Sequence, residues 1–173
     1  MDNLFDHELV SIEEWNPPHP LWDNLMEVVI EQGQHDWVTF TADWHQSSHL
    51  LVAHQGQEIL GFLRFVVQEI GPDSDCPPVQ FDGENLREAK VLAFAVKEIY
   101  RRRGIGRALQ EHLIEDAKTA GLFQIRSHSS GDHQANHRLK LALGYGVHPI
   151  IRDGDSHGVY FILPLSTPFT TNL

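Results

Sequence analysis

Apolar and polar residues follow two periods along the chain, and the changes of period divide it into strands and helices. His7 to Trp15 alternate as in a strand, and a proline cluster follows them. From Leu21 to Gly33 the apolar positions recur at helical spacing, which predicts a core-packing helix that ends at glycine. Between Gln34 and Ser48, three aromatic residues stand three and four positions apart, which predicts one helical face in the core or along a pocket. They are Trp37, Phe40 and Trp44.

The next pattern is that of a hairpin followed by a long loop. His49 to His54 and Glu58 to Ile70 are strand-like runs around Gln55-Gly56-Gln57, a connection short enough for an antiparallel pair. Gly71 to Asn85 holds three prolines and four acidic residues, which predicts a long acidic loop. Because long loops in compact domains are often functional, this loop is either part of a binding surface or a plain surface excursion.

Strands and helices alternate in the second half of the chain. A strand over Arg87 to Lys97 precedes a helix that ends at Gly121 and turns five apolar positions to the sheet, namely Ile105, Leu109, Leu113, Ala117 and Ala120. A strand is predicted next, over Phe123 to Ser127. A helix follows from the N-cap Asp132 to Gly144, and its inward residues are Leu139, Ala142 and Leu143. The last two predicted strands are Gly146 to Ile151 and Gly158 to Leu163, on either side of the turn 152–155.

The segment from Tyr100 to Leu109 joins a strand to a helix and holds two glycines and four of the 13 Lys and Arg residues of the chain. The chain as a whole is acidic, with 24 Asp and Glu residues and a formal net charge of -11, so this positive segment predicts an anionic ligand. Gly104 and Gly106 allow the backbone to approach that ligand closely, and unpaired amides at the helix start would point toward it. Forked arginine donors suit phosphate oxygens. The segment is therefore predicted to bind phosphate.

The spacing of the glycines distinguishes among phosphate-binding loops. The chain has no G-x-x-x-x-G-K-S/T sequence, which excludes the nucleoside-triphosphate loop. A dinucleotide fingerprint would need Gly or Ala in place of Leu109 and an acidic residue near Gln124 or Arg126. What remains, Arg101-x-x-Gly104-x-Gly106, resembles the Q/R-x-x-G-x-G/A pyrophosphate signature of the GCN5-related N-acetyltransferase (GNAT) superfamily, the acyl-CoA-dependent enzymes. The alternative is an ordinary strand-to-helix turn with a solvated basic helix start.

The resemblance to this superfamily extends over nearly the whole chain, because the order of predicted strands and helices is that of the family. Leu143-Gly144-Tyr145 also resembles the LGF or LGY sequence that ends a helix in its members. The resemblance implies an α/β (α+β) fold in a single domain over residues 1–173. Its sheet would be mixed, mostly antiparallel, flanked by helices, and splayed between strands 4 and 5 of the family so that the pantetheine arm of acetyl-CoA enters.

The resemblance also implies which residues hold acetyl-CoA. Phe94, Ala95 and Val96 match the strand segment whose backbone pairs with pantetheine and polarises the thioester carbonyl. His133 stands where relatives carry an asparagine that contacts pantetheine, and Asn136 is the alternative. The pyrophosphate loop would be Arg101, Arg102, Arg103, Gly104, Ile105, Gly106 and Arg107, with only one or two of the arginines reaching phosphate.

Twelve histidines raise the question of a metal site. The two histidine pairs spaced i, i+4 are His45/His49 and His133/His137, and neither belongs to an H-E-x-x-H sequence. The sequence also offers no cysteine pair as additional ligands. We therefore expect no metal.

The catalytic residues implied by the resemblance are a base and an acid. Glu88 is expected as the base, acting through a water, and His128 is a second candidate. Many relatives place a tyrosine acid four residues before the glycine of the LGF sequence, and this chain has Lys140 there. A lysine would stabilise a thiolate if burial lowered its pKa, although exposed helical lysines are more common. Tyr145 and Tyr160 are the substitutes for the acid, or else packing residues.

These observations predict an acetyl-CoA-dependent N-acetyltransferase that acts on a primary amine of a small molecule or peptide by direct attack on the thioester. The negative net charge favours a cationic amine and argues against nucleic acid as a partner. One alternative is a non-enzymatic acyl-CoA-binding sensor or partner-binding module of the same fold, suggested by Lys140. A third hypothesis is phosphate-ligand binding without CoA.

The sequence also gives expectations about location and assembly. The first residues lack a signal-peptide pattern, and the longest apolar stretch, Ile59 to Val67, is too short to span a bilayer. The single cysteine, Cys76, cannot form an internal disulfide. We therefore expect a cytoplasmic protein without a membrane partner, and a homodimer is left open.

Overall fold

The structure, a computed structural model, describes residues 10–130, 133–149 and 158–165. Within these ranges the helices are α1 (Trp22–Glu31), α2 (His35–Thr39), α3 (Ile105–Thr119) and α4 (Gln134–Ala142). The strands are β1 (Ser11–Glu14), β2 (His45–Gln55), β3 (Glu58–Glu69), β4 (Gln80–Phe81), β5 (Glu84–Asn85), β6 (Arg87–Val96), β7 (Gln124–Ser129), β8 (Gly146–Pro149) and β9 (Val159–Pro164). The predicted N-cap Asp132 and the turn 152–155 lie outside the described residues.

Seven of the strands form one sheet in the order β1-β2-β3-β6-β7-β9-β8. Every neighbouring pair is antiparallel except β6 and β7, which run parallel. They can do so because α3 returns the chain from the end of β6 to the edge of the sheet where β6 begins. The predicted hairpin is confirmed, since Gln55 and Glu58 are register partners on either side of the turn. The mixed, mostly antiparallel sheet flanked by helices is therefore confirmed.

The two faces of the sheet carry separate apolar cores. One core contains α3 together with inward residues of β2, β3, β6 and β7, and the other contains α1 and α2. Four of the five predicted inward positions of α3 are buried, whereas Ala120 is exposed. The reason is that the helix ends there: Gly121 takes a φ of 65°, and Leu122 then fills the core.

The aromatic residues between Gln34 and Ser48 do not form the predicted helical face. α2 ends at Thr39, so Trp44 lies in the segment that leads into β2. Trp37 is 54% exposed, and Phe40 and Trp44 are also exposed, so their placement in the core was wrong. Val38 is the α2 residue that packs into the core. The three aromatic side chains remain at the surface.

The long acidic loop contains local structure that its composition did not indicate. A short 3-10 turn covers Pro72–Ser74, and β4 and β5 form a separate two-stranded ribbon. The turn of this ribbon is Asp82-Gly83, whose φ values of 50° and 83° suit an Asp-Gly hairpin. The loop is thus a folded excursion beside the sheet.

β6 and β7 pair over four residues near their starts, from Glu88↔Gln124 to Val91↔Ser127. Beyond this point β6 continues along β3 to Val96, while β7 continues along β9 to Ser129. Leu92 is an extra residue in the β3–β6 register, and such a bulge bends the strand. The predicted splay between strands 4 and 5 of the family is therefore confirmed between β6 and β7.

No helix within the described residues is long and apolar enough to cross a membrane.

Candidate functional site

The loop between β6 and α3 is shaped by two residues in the left-handed region. Arg102 has a φ of 61° and Gly104 a φ of 79°, and Gly104 is the N-cap of α3. No side chain caps this helix, and its first backbone bond runs from the Ala108 amide to the Gly104 carbonyl at 3.0 Å. The amides of residues 105–107 therefore precede the first intrahelical bond and suit an anion.

Gly106 brings the start of α3 close to both β6 and α4. A Cβ at Gly106 would lie 3.2 Å from Cζ of Phe94 and 3.5 Å from Cδ2 of Leu139. A larger side chain would therefore push the helix start away from the free edge of β6. Packing against β6 and α4 thus explains the glycine at position 106, whereas the glycine at position 104 is explained by its left-handed φ.

Three of the four arginines in this segment have partners within the protein. Nε of Arg101 donates to the Val96 carbonyl at 3.0 Å, and the guanidinium of Arg103 lies 5.9 Å from the ring centre of Tyr100. Nη1 of Arg107 pairs with Glu111 at 3.1 Å on the surface of α3. The anion-binding capacity of the loop therefore lies mainly in its backbone amides, as in other helix starts.

Polar side chains of α4 contact the end of β7. Nδ2 of Asn136 donates to Oγ of Ser129 at 3.2 Å, and Nε2 of His137 lies 2.9 Å from the same oxygen. Oδ1 of Asn136 is buried without a hydrogen-bond partner among the described residues, which is rare for an amide oxygen. His133 is exposed at the N-cap of α4. The sequence considered His137 only as a metal ligand, and no group of three or more metal-binding side chains occurs among the described residues.

Glu88, the predicted base, is fully buried and surrounded by donors. Its Oε1 accepts from Gln68 at 3.0 Å and from Arg126, and its Oε2 accepts from Gln124 at 2.8 Å. Nε of Arg126 lies within 3.1 Å of both oxygens. The lone pairs of this carboxylate are therefore occupied, which favours a role in holding Arg126. Its assignment as the base stays a prediction.

Two further charged side chains complete this group, which we call the ion cluster: Asp73, Glu88, Lys90 and Arg126. The Asp73 carboxylate comes from the acidic loop and accepts from Lys90 and from Arg126, each at 2.6 Å. Burial alone would raise the pKa of Asp73, but the hydrogen bonds and charges of both cations lower it. Burial alone would lower the pKa of Arg126, but Glu88 and Asp73 raise it.

His128 and Tyr160 lie next to the ion cluster at the end of β7. Their rings meet edge to face with centres 5.8 Å apart, and the guanidinium of Arg126 lies 5.0 Å from the ring centre of Tyr160. His128 is exposed. Residues 126 and 128 of β7 point to the same face of the sheet, and Glu88 of β6 binds Arg126 on that face. His128 and Glu88 therefore lie on the same face of the sheet.

Tyr145, a predicted substitute acid, lies in the core on the α3 face. Its hydroxyl donates to Oε1 of the buried Gln110 at 3.1 Å, and burial raises its pKa above the ordinary value. The side chain therefore packs against α3, and its role as an acid stays a prediction.

Lys140 is buried, with only 1% of its surface exposed, so the expectation that such a lysine is exposed was wrong. Its Nζ donates to Oγ of Ser127 at 2.5 Å and lies 5.3 Å from the ring centre of Phe161. Burial lowers its pKa to about 8. The predicted inward residue Ala142 is exposed instead, since the inner face of α4 follows Asn136, Lys140 and Leu143.

The acetyltransferase (GNAT) family model matches residues 9–145, which is most of the chain. The chain belongs to this family. Among curated GNAT relatives, the ribosomal protein bS18-alanine N-acetyltransferase of Escherichia coli strain K12 is 32% identical over 87 residues. That segment covers 47% of this chain and 59% of the relative, so the chain spans about 59% of the length of the curated relatives it matches.

Solved structures of GNAT proteins share this fold. The ribosomal-protein-S18-alanine N-acetyltransferase of Escherichia coli is 20% identical with a TM-score of 0.60, over 95% of this chain and 99% of that one. NAA60 of Arabidopsis thaliana, solved with acetyl-CoA, is 15% identical with a TM-score of 0.63, over 88% and 96% of the two chains. At these identities the likeness concerns the fold.

Proposed function

We propose that this GNAT-family chain is an acetyl-CoA-dependent N-acetyltransferase that transfers the acetyl group to a primary amine by direct attack on the thioester. The observation that carries this proposal is the opening between β6 and β7, with the uncapped start of α3 beside it. Structural neighbours were solved with acetyl-CoA, which supports the same donor here.

The residues around the opening fit the parts of acetyl-CoA. The amides of residues 105–107 and Gly104 would hold the pyrophosphate, and the exposed Arg102, two residues before Gly104, would add a positive charge beside them. The edge of β6 over Phe94, Ala95 and Val96 has no neighbouring strand on the β7 side among the described residues, so its backbone is available to pantetheine amides. The buried, unpartnered Oδ1 of Asn136 would accept from a pantetheine amide.

For the proton of the amine we propose His128, because it is exposed at the end of β7 on the face opposite α4. Imidazole is the most frequent general base in enzymes. Glu88 remains a candidate that would act through a water, but its occupied oxygens favour the alternative in which it orients Arg126. Tyr145 remains a candidate acid.

The acceptor is proposed to be a cationic amine on a small molecule or peptide. The net charge of -11 supports a cationic substrate, and the Escherichia coli relative is an alanine N-acetyltransferase for a ribosomal protein. The exposed aromatic residues Trp37, Phe40 and Trp44 would form one wall of the acceptor site. Nη1 of Arg64 donates to the Trp37 carbonyl at 2.6 Å, and Arg64 pairs in register with Ala93, just past the point where β6 and β7 separate.

A second candidate is a non-enzymatic acyl-CoA sensor of the same fold. The observation that favours it is Lys140, which stands where many relatives carry a tyrosine acid. Both candidates require acetyl-CoA binding, and only the first requires turnover.

Isothermal titration with acetyl-CoA tests the shared part of the two proposals. We expect binding by the wild type and by Gly146→Val, a control whose glycine has no neighbour closer than 3.8 Å, and loss of binding by Gly106→Val. Thiol release with polyamines, aminoglycosides, amino acids and peptides then separates enzyme from sensor. Binding without turnover on the whole panel would favour the sensor, and absence of binding by wild type would reject both.

A further inference from the structure

The ammonium group of Lys140 lies at the point where β6 and β7 separate. Ser127, which accepts its hydrogen bond at 2.5 Å, is the last residue of β7 paired with β6. The preceding residue of α4, Leu139, reaches the first turn of α3 beside Gly106. The amine of Lys140 therefore lies on the α3 and α4 face of the sheet, at the point where the pairing of β6 and β7 ends.

No carboxylate among the described residues pairs with this buried cation. Of the elements packed against it, β7 offers the hydroxyl of Ser127, and β9 offers the ring of Phe161. The titratable groups close by are His137 on α4, which contacts Ser129 and the Phe161 ring, and Tyr145, whose hydroxyl is bound to Gln110.

The buried carboxylates of the ion cluster are on the other face of the sheet, and both are already paired. Glu88 and Asp73 belong to the ion cluster, where they bind Arg126 and Lys90. A buried charge without a counter-charge is unfavourable, so an anion arriving beside Lys140 would be stabilised more strongly than in water.

We propose that Lys140 binds the sulfur of the acyl donor and protonates the thiolate as it leaves, an inference that rests on the proposed function. In this step the acceptor nitrogen forms a bond to the carbonyl carbon, and the carbon–sulfur bond breaks with its electron pair on sulfur. The Lys140 ammonium gives its proton to that sulfur, and the proton lost by the acceptor restores the ammonium through solvent. Ser127 positions Nζ by accepting one of its three hydrogens.

The acid strength of Lys140 suits this role. Burial lowers its pKa to about 8, close to the value of about 8.5 for a free thiol, so the proton moves between groups of similar strength. At neutral pH most of the Lys140 side chains are protonated, and an ordinary exposed lysine would be a much weaker acid.

The first test measures the thiol of bound CoA in the absence of turnover. Thiolate absorbance of bound CoA is titrated from pH 6 to 10 in the wild type, in Lys140→Met and in the surface control Lys118→Met. We expect the bound thiol to ionise at lower pH in wild type and in the control than in Lys140→Met. CoA should also bind more tightly than desulfo-CoA, with this preference lost in Lys140→Met. An equal thiol titration in all three proteins would overturn the proposal.

The second test is kinetic and uses the acceptor found in the amine panel. Lys140→Met should lower kcat about 100-fold with little change in KM for acetyl-CoA, as expected for loss of a general acid. Lys140→Tyr should recover part of kcat and move the alkaline limb of its pH profile upward, since tyrosine titrates near 10. An unchanged alkaline limb in Lys140→Tyr would contradict the role as acid.

A third measurement separates this proposal from its main rival, in which neutral Lys140 activates Ser127 as a nucleophile. Intact-mass analysis after mixing with acetyl-CoA alone should show no acetylated protein, and Ser127→Ala should retain activity within about tenfold. A stable acetyl adduct that disappears in Ser127→Ala would overturn the acid role. Absence of any CoA binding would instead reject the proposed function, because the thiol titration presupposes a bound cofactor.

Discussion

Two buried cations lie on opposite faces of the sheet at the same junction of β6 and β7. Arg126 is held by Glu88 and Asp73, and these carboxylates raise its pKa despite burial. Lys140 contacts the neighbouring strand residue, Ser127, and its pKa falls to about 8. The burial of the two groups is similar, so the direction of the pKa shift follows from whether a carboxylate is present.

The two buried cations have opposite effects on the stability of the junction. Arg126, on β7, connects the acidic loop to β6 because it binds both Asp73 and Glu88, which are 15 residues apart in the chain. Such a compensated cluster holds the junction together. Lys140 is uncompensated, and an uncompensated charge lowers stability unless a ligand supplies the missing charge.

The largest effect is expected from Arg126→Met, which removes the cation shared by Glu88 and Asp73. Two buried carboxylates would lose their shared cation, and breaking a buried ion pair in this way costs about 3–5 kcal/mol. Urea unfolding of the variant measures this loss. The control is Arg107→Met, whose surface pair with Glu111 should be worth less than about 1 kcal/mol. Equal losses in the two variants would show that the ion cluster does not stabilise the junction of β6 and β7.

Lys140→Met should have the opposite sign and raise the free energy of unfolding at pH 7. The lysine titrates at 10.5 when unfolded and at about 8 when folded, a difference that corresponds to about 3 kcal/mol. Between these pH values the unfolded state binds more protons, so wild-type stability rises with pH. The advantage of Lys140→Met should therefore be full below pH 8 and vanish by about pH 10.5. Urea unfolding of both proteins at pH 7, 9 and 10.5 tests this, and a pH-independent difference would contradict it.

Asp73→Asn should release the acidic loop at a cost of about 2 kcal/mol, since hydrogen bonds to charged groups are worth about 1.5–3 kcal/mol. The unfolded carboxyl titrates at 3.8 and the folded one lower, so the stabilisation is present above pH 3.8 and is lost as pH falls through the folded pKa. The variant should therefore differ from wild type at pH 7 and converge with it in acid.

The single cysteine of the chain reports on the same loop. Cys76 is exposed three residues after Asp73, so a spin label attached there senses how firmly the loop is held. Its mobility should increase in Asp73→Asn at pH 7. The substitution of the exposed Asp43, Asp43→Asn, provides the control. Equal label mobility in the two variants would contradict the proposal that the ion cluster holds the loop.

The sequence predicted the strands, the main helices and the opening because these follow from short-range periodicity and from a family pattern. The turn at Gly104 was also predictable, since glycine takes a φ of 79° at little cost. The packing of Gly106 against Phe94 and Leu139 was not predicted. Periodicity failed at Trp44, where a helix stopped one turn earlier than the aromatic spacing indicated.

The charge pairing at the junction could not be predicted from the sequence. Asp73 and Arg126 are 53 residues apart, and nothing in the loop composition distinguishes Asp73 from the exposed acids around it. The burial of Lys140 was missed for a related reason, because an amphipathic pattern assigns lysine to the outer face of a helix. The inner face of α4 is polar, and Ser127 and Ser129 on β7 supply the partners.

The smallest effect is expected at an exposed ion pair. It tests whether burial or distance determines how much an ion pair contributes to the free energy of unfolding. Nζ of Lys97 lies 2.7 Å from Oε1 of Glu58, nearly the same distance as the 2.6 Å between Lys90 and Asp73. The Asp73 side chain is 2% exposed and that of Glu58 is 49% exposed, so water and salt screen the second pair. Lys97→Met should therefore cost less than about 1 kcal/mol, and the loss should shrink further in 0.5 M salt. Unfolding measured beside Lys90→Met decides the point, because a similar loss in both variants would mean that distance alone sets the strength of these pairs.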